Sequence, residues 1–345
     1  MKFGLFGGAK SAGEGAVGDS LGYRKYIDYV LAAEELGYYS VFVVEHHFTG
    51  VGQLSASLNF LTYLAGRTTR MRLGTAVVVL PWHNPVLLAE QVATLDVLSN
   101  GRFDFGVGKG YRPPEFSGFC IPIEEAGARF DEALAVLRKA WAGGARFSHH
   151  GPRWQFENII VEPRPVQQPH PPLWMGAGSL EMIGRAAREG FNLLLDQIAP
   201  IELIIARVAA YRRELASMGR RYSRGQIGVC RARQIVRNEA ERDAAYALRT
   251  KVLKAIGGLA RGPGAERYQN IPSHAEAGLA REDAALLGNP GEIIARLKVL
   301  EAGGVDYVLL VDPTGSVDAL RTFAKEIMPA FPEQQEGRID ATPVA

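Results

Sequence analysis

Three residues that can exchange protons stand together where an apolar segment ends. The stretch SVFVVEHHFTG runs from β-branched and aromatic residues into Glu45, His46 and His47. Histidine titrates near neutral pH, and a neighbouring carboxylate can fix its tautomer or raise its pKa. The triplet indicates either acid–base chemistry or a satisfied polar strand end without chemistry. Because side chains alternate along a strand, Glu45 and His47 are expected on one side and His46 on the other.

A metal site is a weaker interpretation of this histidine pair. No HExxH spacing or third ligand accompanies it, and Cys120 and Cys230 stand far apart without a CxxC pattern. We therefore predict no metal and no disulfide framework. Free cysteines of this kind fit a reducing, cytoplasmic compartment.

A second motif is typical of anion binding. RFDFGVGKGYRPPEF ends a predicted strand with alternating glycines, and Lys109 and Arg112 stand beside them. Glycines let a ligand approach the backbone closely, and two cations suit a phosphate. The same residues also fit a tight turn with solvated cations.

A third motif places a strand directly before a helix start. In LWMGAGSLEMIGRAA the chain passes through Gly178 and Ser179 into a helical segment, whose first N–H groups form an intrinsic anion site. Ser179 alone also fits an ordinary N-cap. Together, the two motifs predict a phosphorylated cofactor or substrate. Trp82 and His83, after the strand GTAVVVL, are further candidates at the same rim.

The elements that must position these motifs alternate regularly. Apolar strand segments alternate with longer segments of helical period, which predicts a parallel sheet covered by helices. Eight strands favour a closed (β/α)8 TIM barrel, in the α/β class, with ligands at the carboxyl ends of the strands. The predicted strands are KFGLF, SVFVVE, MRLGTAVVVL, RFDFGVG, PPLWMGAG, FNLLLD, GQIGVCRARQIV and VDYVLLVD.

Two segments interrupt this alternation. Residues 143–172 combine strand-like pieces with many prolines and are predicted to form a hairpin between the fourth helix and the fifth strand. Residues 257–290 contain glycines, prolines and scattered charges, and are a candidate lid. We expect one domain over residues 1–330, with a tail at 331–345.

Composition limits the classes of partner. The 345 residues contain 39 Lys and Arg against 37 Asp and Glu, a net charge of +2, which offers no general attraction for nucleic acid or an anionic membrane. No apolar run approaches the roughly 18 residues of a membrane span. We therefore predict a small-molecule ligand, with no nucleic acid and no membrane.

The ordered combination of EHHF with GRFDFGVGKG resembles the bacterial luciferase-like monooxygenase family, from Met1 to about Pro329. This resemblance implies a (β/α)8 barrel that uses reduced FMN, supplied by a separate flavin reductase, and O2 to oxygenate a small organic substrate, with an aldehyde as one candidate. An F420-dependent oxidoreductase and a non-catalytic flavin-binding partner subunit are the alternatives. The two retained histidines favour the enzyme.

The resemblance also assigns residues. His46 matches the catalytic histidine, with Glu45 beside it, and the bond between Ala76 and Val77 matches a non-prolyl cis peptide beneath the flavin ring. The positions implied in cofactor binding are Ala76, Val77, Glu90, Lys109, Arg112, Gly178 and Ser179.

Three positions depart from the family pattern. Lys109 replaces the usual arginine at the phosphate, and Gly178 replaces an acid. Gly108 replaces the reactive cysteine of the luciferases, so light emission is not assigned. As in other members, a homodimer is expected, here through the helices at residues 55–64 and 85–98, which are more apolar than one buried face requires.

Overall fold

Eight parallel strands close into a barrel, as the sequence predicts. The structure is a computed structural model that describes residues 1–259 and 284–332. Around the barrel the order is β1, β2, β3, β5, β8, β9, β10 and β12, and β12 pairs with β1. The strands are β1 (Lys2–Gly7), β2 (Ser40–Val43), β3 (Arg72–Thr75), β4 (Val78–Val79), β5 (Phe103–Gly108), β6 (Phe147–His150), β7 (Gln155–Ile159), β8 (Leu173–Gly176), β9 (Asn192–Leu195), β10 (Ile227–Ile235), β11 (Leu286–Gly288) and β12 (Tyr307–Val311).

Helices follow the barrel strands and cover the outside. They are α1 (Gly15–Glu35), α2 (Ser57–Ala65), α3 (Pro85–Leu98), α4 (Pro113–Gly118), α5 (Ala126–Trp141), α6 (Leu180–Glu189), α7 (Ile201–Ser217), α8 (Glu239–Leu259), α9 (Pro290–Ala302) and α10 (Val317–Glu326). Strong N-caps fix several starts. Asn289, for example, forms a capping box with Glu292 and is followed by Pro290 at the first helical position.

Each barrel strand is buried on both faces, so the core has two layers, one inside the barrel and one between the barrel and the helices. On β2, Val41 and Val43 belong to the large cluster between barrel and helices. Phe42 belongs to a smaller cluster with Trp174 and Leu194 from other strands. Successive side chains of a strand thus point alternately into the barrel interior and into the outer layer. Because both layers are apolar, the strand sequences are continuous apolar runs.

Two local features differ from the sequence-based expectation. The segment predicted as one strand, MRLGTAVVVL, is divided into β3 and β4 by a cis peptide bond between Ala76 and Val77, and both parts pair with β5. The short helix α4 was not expected. It begins with two prolines, whose fixed φ angle suits the first turn of a helix.

The predicted hairpin is present, and most of the predicted lid lies outside the described residues. β6 and β7 pair antiparallel between α5 and β8. Of the proposed lid at 257–290, residues 260–283 lie outside the described residues, as do residues 333–345 of the predicted tail. Within the described ranges, none of the helices has the length and apolar character needed to cross a bilayer.

Candidate active site

His46 lies at the carboxyl end of β2 and is held by a carboxylate from another loop. Its Nδ1 is 3.0 Å from Glu115 Oε1, and Glu115 is the third residue of α4. The same oxygen accepts the backbone N–H of His47 at 3.0 Å. Since a carboxylate accepts, Nδ1 is the protonated nitrogen and Nε2 keeps its lone pair. His46 is therefore oriented as a base whose Nε2 has no hydrogen-bond partner among the described residues.

Glu45 serves a different set of partners. Its Oε1 lies 3.0 Å from His47 Nε2 and 2.8 Å from His83 Nε2, and its Oε2 accepts the Val79 N–H at 2.8 Å. The side chain is 2% exposed. Through these hydrogen bonds, Glu45 connects the segment after β2 to Val79 of β4 and to His83 in the segment that follows β4. The alternation expected for the triplet is confirmed, because Glu45 contacts His47 and not His46.

The combined effect of burial and these partners is to lower the pKa values of both His46 and Glu45. Burial lowers the pKa of His46; the Glu115 hydrogen bond opposes this effect, and the charge of Arg112 adds to it. Burial acts to raise the pKa of Glu45, but the hydrogen bonds from His47, His83 and Val79 outweigh it and lower the pKa. At neutral pH the site therefore holds an ionised Glu45 and a neutral His46.

Aromatic side chains line the His47 side of the cluster. The His47 ring lies 4.8 Å from the Phe119 ring and 5.3 Å from the Trp82 ring, measured between centroids, and Phe48 lies 5.0 Å from Phe119. Phe48 is 61% exposed and has a φ angle of +55°, a conformation that is uncommon for residues other than glycine. Two half-buried aromatic rings, Trp82 and Phe119, and the exposed ring of Phe48 therefore stand beside the proton-transfer groups.

The cis peptide predicted at Ala76–Val77 is confirmed, and the glycines of β5 make room beside it. A side chain at Gly106 would overlap the carbonyl oxygen of Thr75, and one at Gly108 would reach within 2.5 Å of Val77 Cγ2. These glycines let β5 lie tight against the segment that contains the cis bond.

Lys109 and Ser179 lie at the ends of two paired strands. β5 and β8 pair through Val107 and Met175, so the same register continued brings Lys109 level with residue 177. Both Lys109 and Ser179 are exposed. Ser179 caps α6 by accepting the Met182 N–H at 3.3 Å, and its hydroxyl hydrogen can still be donated to a ligand. This geometry is compatible with a shared anion.

Two other predicted cofactor residues have different surroundings. Arg112 is 2% exposed, its Nη1 lies 3.7 Å from Glu115 Oε1, and its Nε donates to the Tyr111 hydroxyl at 3.3 Å. The structure thus places Arg112 with the His46 group. Glu90 is half-buried on α3, and within the described chain no hydrogen bond or ion pair joins it to the histidines.

Glu115 is the residue that the sequence interpretation missed. Arg112 and Glu115 stand three apart in RPPEF, where two prolines signal a helix start, and this local signal could have placed Glu115 on the helix. Its contact with His46 spans 69 residues, which sequence spacing does not disclose. Across residues 1–259 and 284–332, no group of His, Cys, Asp and Glu is arranged to hold a metal ion.

Comparison with known sequences gives a consistent set of relatives. The profile of a family described as luciferase-like monooxygenase matches residues 1–307. The oxygenase component of the flavin-dependent trigonelline monooxygenase of Acinetobacter baylyi is 27% identical over 93% of this chain and 93% of that protein. The FMNH2-dependent dimethylsulfone monooxygenase of Pseudomonas putida is 27% identical, over 82% of this chain and 80% of that protein.

Coverage differs among the relatives. One curated relative is 37% identical over 175 residues, but the match spans only half of that protein's length and 51% of this chain. Among solved structures, the monooxygenase RslO1 of Streptomyces bottropensis superposes with a TM-score of 0.82 at 25% identity. That match covers 96% of this chain and 100% of RslO1.

Proposed function

From the premise that this chain belongs to the luciferase-like monooxygenase family, we propose that it is an FMN-dependent monooxygenase that inserts one oxygen atom of O2 into a small organic substrate. The observation that carries the proposal is the pair of His46 and Glu115 at the barrel mouth. Of the alternatives, the non-catalytic subunit is disfavoured because such a protein needs no histidine oriented as a base.

The residues present fit FMN. Lys109 and the helix start at Ser179 suit its phosphate, and Gly106 and Gly108 let β5 lie against the Ala76–Val77 segment, where the family resemblance places the flat ring. When bound, reduced FMN supplies the electrons that activate oxygen. Lys109, Ser179, Ala76 and Val77 would bind and orient that group.

His46 handles the proton in this proposal. With Nδ1–H donated to Glu115, Nε2 can accept a proton and return it at one defined atom. Burial lowers the pKa of His46, so the ring is neutral and able to accept at pH 7. Glu115 would stabilise the charged ring when it forms, while Glu45 keeps His47 and His83 in place.

The substrate side of the mouth is apolar and aromatic. Trp82, Phe119 and Phe48 flank His47, so a small molecule with an apolar or aromatic portion would desolvate well there. The relatives act on compounds as different as trigonelline and dimethylsulfone. An aldehyde therefore stays one candidate within this class. We also propose a cytoplasmic location and a separate flavin reductase as the source of reduced FMN.

A cofactor titration tests the function. The purified protein is mixed anaerobically with reduced FMN or reduced F420, and O2 is then added while flavin absorbance and hydrogen peroxide are followed. Tight binding of reduced FMN, with oxygen-dependent reoxidation that His46→Ala alters, is expected. Binding of reduced F420 in preference to FMN would favour the F420-dependent alternative, and binding of FMN without any change of its reoxidation would favour the non-catalytic subunit.

A further inference from the structure

Fewer cations face the proposed phosphate site than the sequence predicts. Lys109 and Arg112 were both expected to face it, but Arg112 is buried against Glu115 and Tyr111. Lys109 is then the single cation contributed by β5 and its loop. A lysine is a point charge, whereas an arginine presents two donors to a phosphate. The site would be stronger with a second cation from elsewhere.

Arg207 reaches this site from the next helix. It lies on α7, which packs against α6, the helix that Ser179 caps. A Cβ atom built on Gly178 would lie 3.4 Å from Arg207 Nη2 and 3.8 Å from its Cζ. The guanidinium therefore occupies the space directly beside position 178, one residue before the helix start.

A fixed carboxylate holds Arg207 by its other edge. Arg207 Nη1 donates to Asp196 Oδ2 at 2.7 Å. The second oxygen of Asp196 accepts the N–H groups of Ile198 and Ala199 at 2.8 and 2.7 Å, so the carboxylate itself is oriented. The Arg207 side chain is 11% exposed. A nearly buried guanidinium is thus positioned in advance, with Nη2 next to Gly178.

Within the described residues, the surroundings of Arg207 have an excess of positive charge. Arg231 donates to the carbonyl oxygens of Asp196 and Ala199, and Arg249 donates to that of Gln197. Both side chains are buried, and three guanidinium groups then adjoin one loop whose acidic residue is Asp196. The Nε atoms of all three arginines are buried without a hydrogen-bond partner within the described structure. Within the described structure, the Asp196 carboxylate thus compensates only part of the positive charge around this loop.

We propose that Arg207 donates to the phosphate of the cofactor from beside Gly178, and that the missing side chain at 178 leaves the guanidinium open to that phosphate. An acid at 178 would pair with Arg207 and compete with the ligand. In this chain the arginine and Lys109 would grip the phosphate from two sides of the α6 start. The inference rests on the proposed function, because it requires a phosphorylated cofactor.

The test compares FMN with riboflavin, which has the same ring system and no phosphate. Dissociation constants of both dithionite-reduced flavins are measured by anaerobic ultrafiltration. For Arg207→Ala we expect the dissociation constant of FMN to rise about 10- to 100-fold, as for loss of a charge-assisted hydrogen bond, and that of riboflavin to stay unchanged. Arg188→Ala is the matched control, because Arg188 on α6 pairs with Glu214 on α7 across the same two helices, far more exposed.

A second variant keeps the test decisive if Arg207→Ala does not fold. Gly178 has no positive φ angle, and its Cβ position has no close overlap with the residues that the structure describes, so Gly178→Glu is sterically tolerated there. The new carboxylate should pair with Arg207 and weaken FMN selectively. Unchanged FMN binding in the folded variants would overturn the inference. Equal affinity of the wild type for FMN and riboflavin would also overturn the inference, but it would leave the proposed function intact. A wild type that binds neither flavin would overturn both the inference and the proposed function.

Discussion

His46 and His47 are adjacent in the chain, yet their side chains have different partners. His46 faces Glu115, and His47 faces Glu45 and the ring of Phe119. This division is the one expected from strand alternation, although both histidines lie beyond Val43, the last residue of β2, and it gives them different surroundings. One has a free ring nitrogen oriented by a carboxylate, and the other is part of the packing that supports the mouth.

Substitution of the two histidines should separate these roles. His46→Ala is expected to lower coupled oxygenation by about 10²–10⁴-fold, the usual contribution of general acid–base assistance, while reduced FMN still binds and hydrogen peroxide is released. His47→Ala should chiefly lower the melting temperature. Steady-state product and peroxide assays, with a thermal melt for each variant, measure both effects. The opposite pattern in folded proteins would reverse the assignment.

The pH response of His46 should depend on Glu115. Burial lowers the pKa of His46 and the Glu115 hydrogen bond raises it, so Glu115→Gln is expected to lower the His46 pKa further. The ring then stays neutral to a lower pH than in the wild type. NMR titration of the ring protons measures this shift directly. Glu132→Gln, at a carboxylate bound to His149 in the hairpin, should leave the His46 titration unchanged and is the control.

Glu45 should make stability depend on acid. Its pKa is lowered in the folded protein, because histidine and backbone hydrogen bonds outweigh burial. The stabilisation is therefore fully present above the unfolded-state value near 4.5 and is lost as the pH falls through the lower folded pKa. Glu45→Gln should cost about 2–4 kcal/mol at pH 7, from loss of a buried charged network, and should show less further loss on acidification. Urea unfolding at several pH values gives both quantities.

At the scale of elements, the approach of β5 to β3 depends on one glycine. A side chain at Gly106 would overlap the Thr75 carbonyl oxygen, and Thr75 also exchanges hydrogen bonds with the backbone of Gly106. The clash is with main chain, which cannot rotate away. The position of the cis bond after β3 is therefore tied to the packing of these two strands.

Gly106→Ala should destabilise the barrel strongly. Overpacking of a closed core typically costs about 1–3 kcal/mol and occasionally more, and a backbone clash belongs at the upper end. Gly176→Ala is the matched control, since Gly176 is exposed at the end of β8 and no atom of the described structure lies within 4 Å of its Cβ position. Chemical denaturation of both variants makes the comparison. Equal stability would show that β3 and β5 can separate at no cost.

At the scale of the whole molecule, apolar side chains remain exposed on the helices predicted to pair. Leu87 and Leu98 on α3 are 54% and 58% exposed, and Tyr63 on α2 is 49% exposed. Leu87 and Leu98 are eleven residues apart, about three turns, so they lie on nearly the same face of the helix. A twofold partner seated on α2 and α3 would cover them together.

A double substitution tests this homodimer. Leu87→Asp with Leu98→Asp should convert a dimer into a monomer, because it places charge in an interface that needs apolar burial. Light scattering at micromolar concentration measures the mass. Leu180→Asp with Val299→Asp, at exposed apolar positions on α6 and α9, is the control and should leave the dimer intact. A monomeric wild type would contradict the prediction.

The sequence by itself determined the architecture, and it predicted the position of the site. Eight apolar strands alternating with helices predicted the barrel, since period and length are local properties, and the barrel places every strand end at one mouth. The residues EHH, Lys109 and Ser179 could therefore be assigned to that mouth, and the resemblance located the cis bond. The limits of the single domain at residues 1–330 stay a prediction.

The tertiary structure decided which side chains meet. Glu115 contacts His46 across 69 residues, and Arg207 lies beside Gly178 from the following helix. Arg112, which the sequence predicts at the phosphate, lies 3.7 Å from Glu115 at the start of α4, and its contact with an anion stays a prediction. Local sequence patterns determine which helix or strand a side chain belongs to and at which position of that element it lies. The partner that it finds depends on how distant elements pack, because neighbours around the barrel mouth are far apart along the chain.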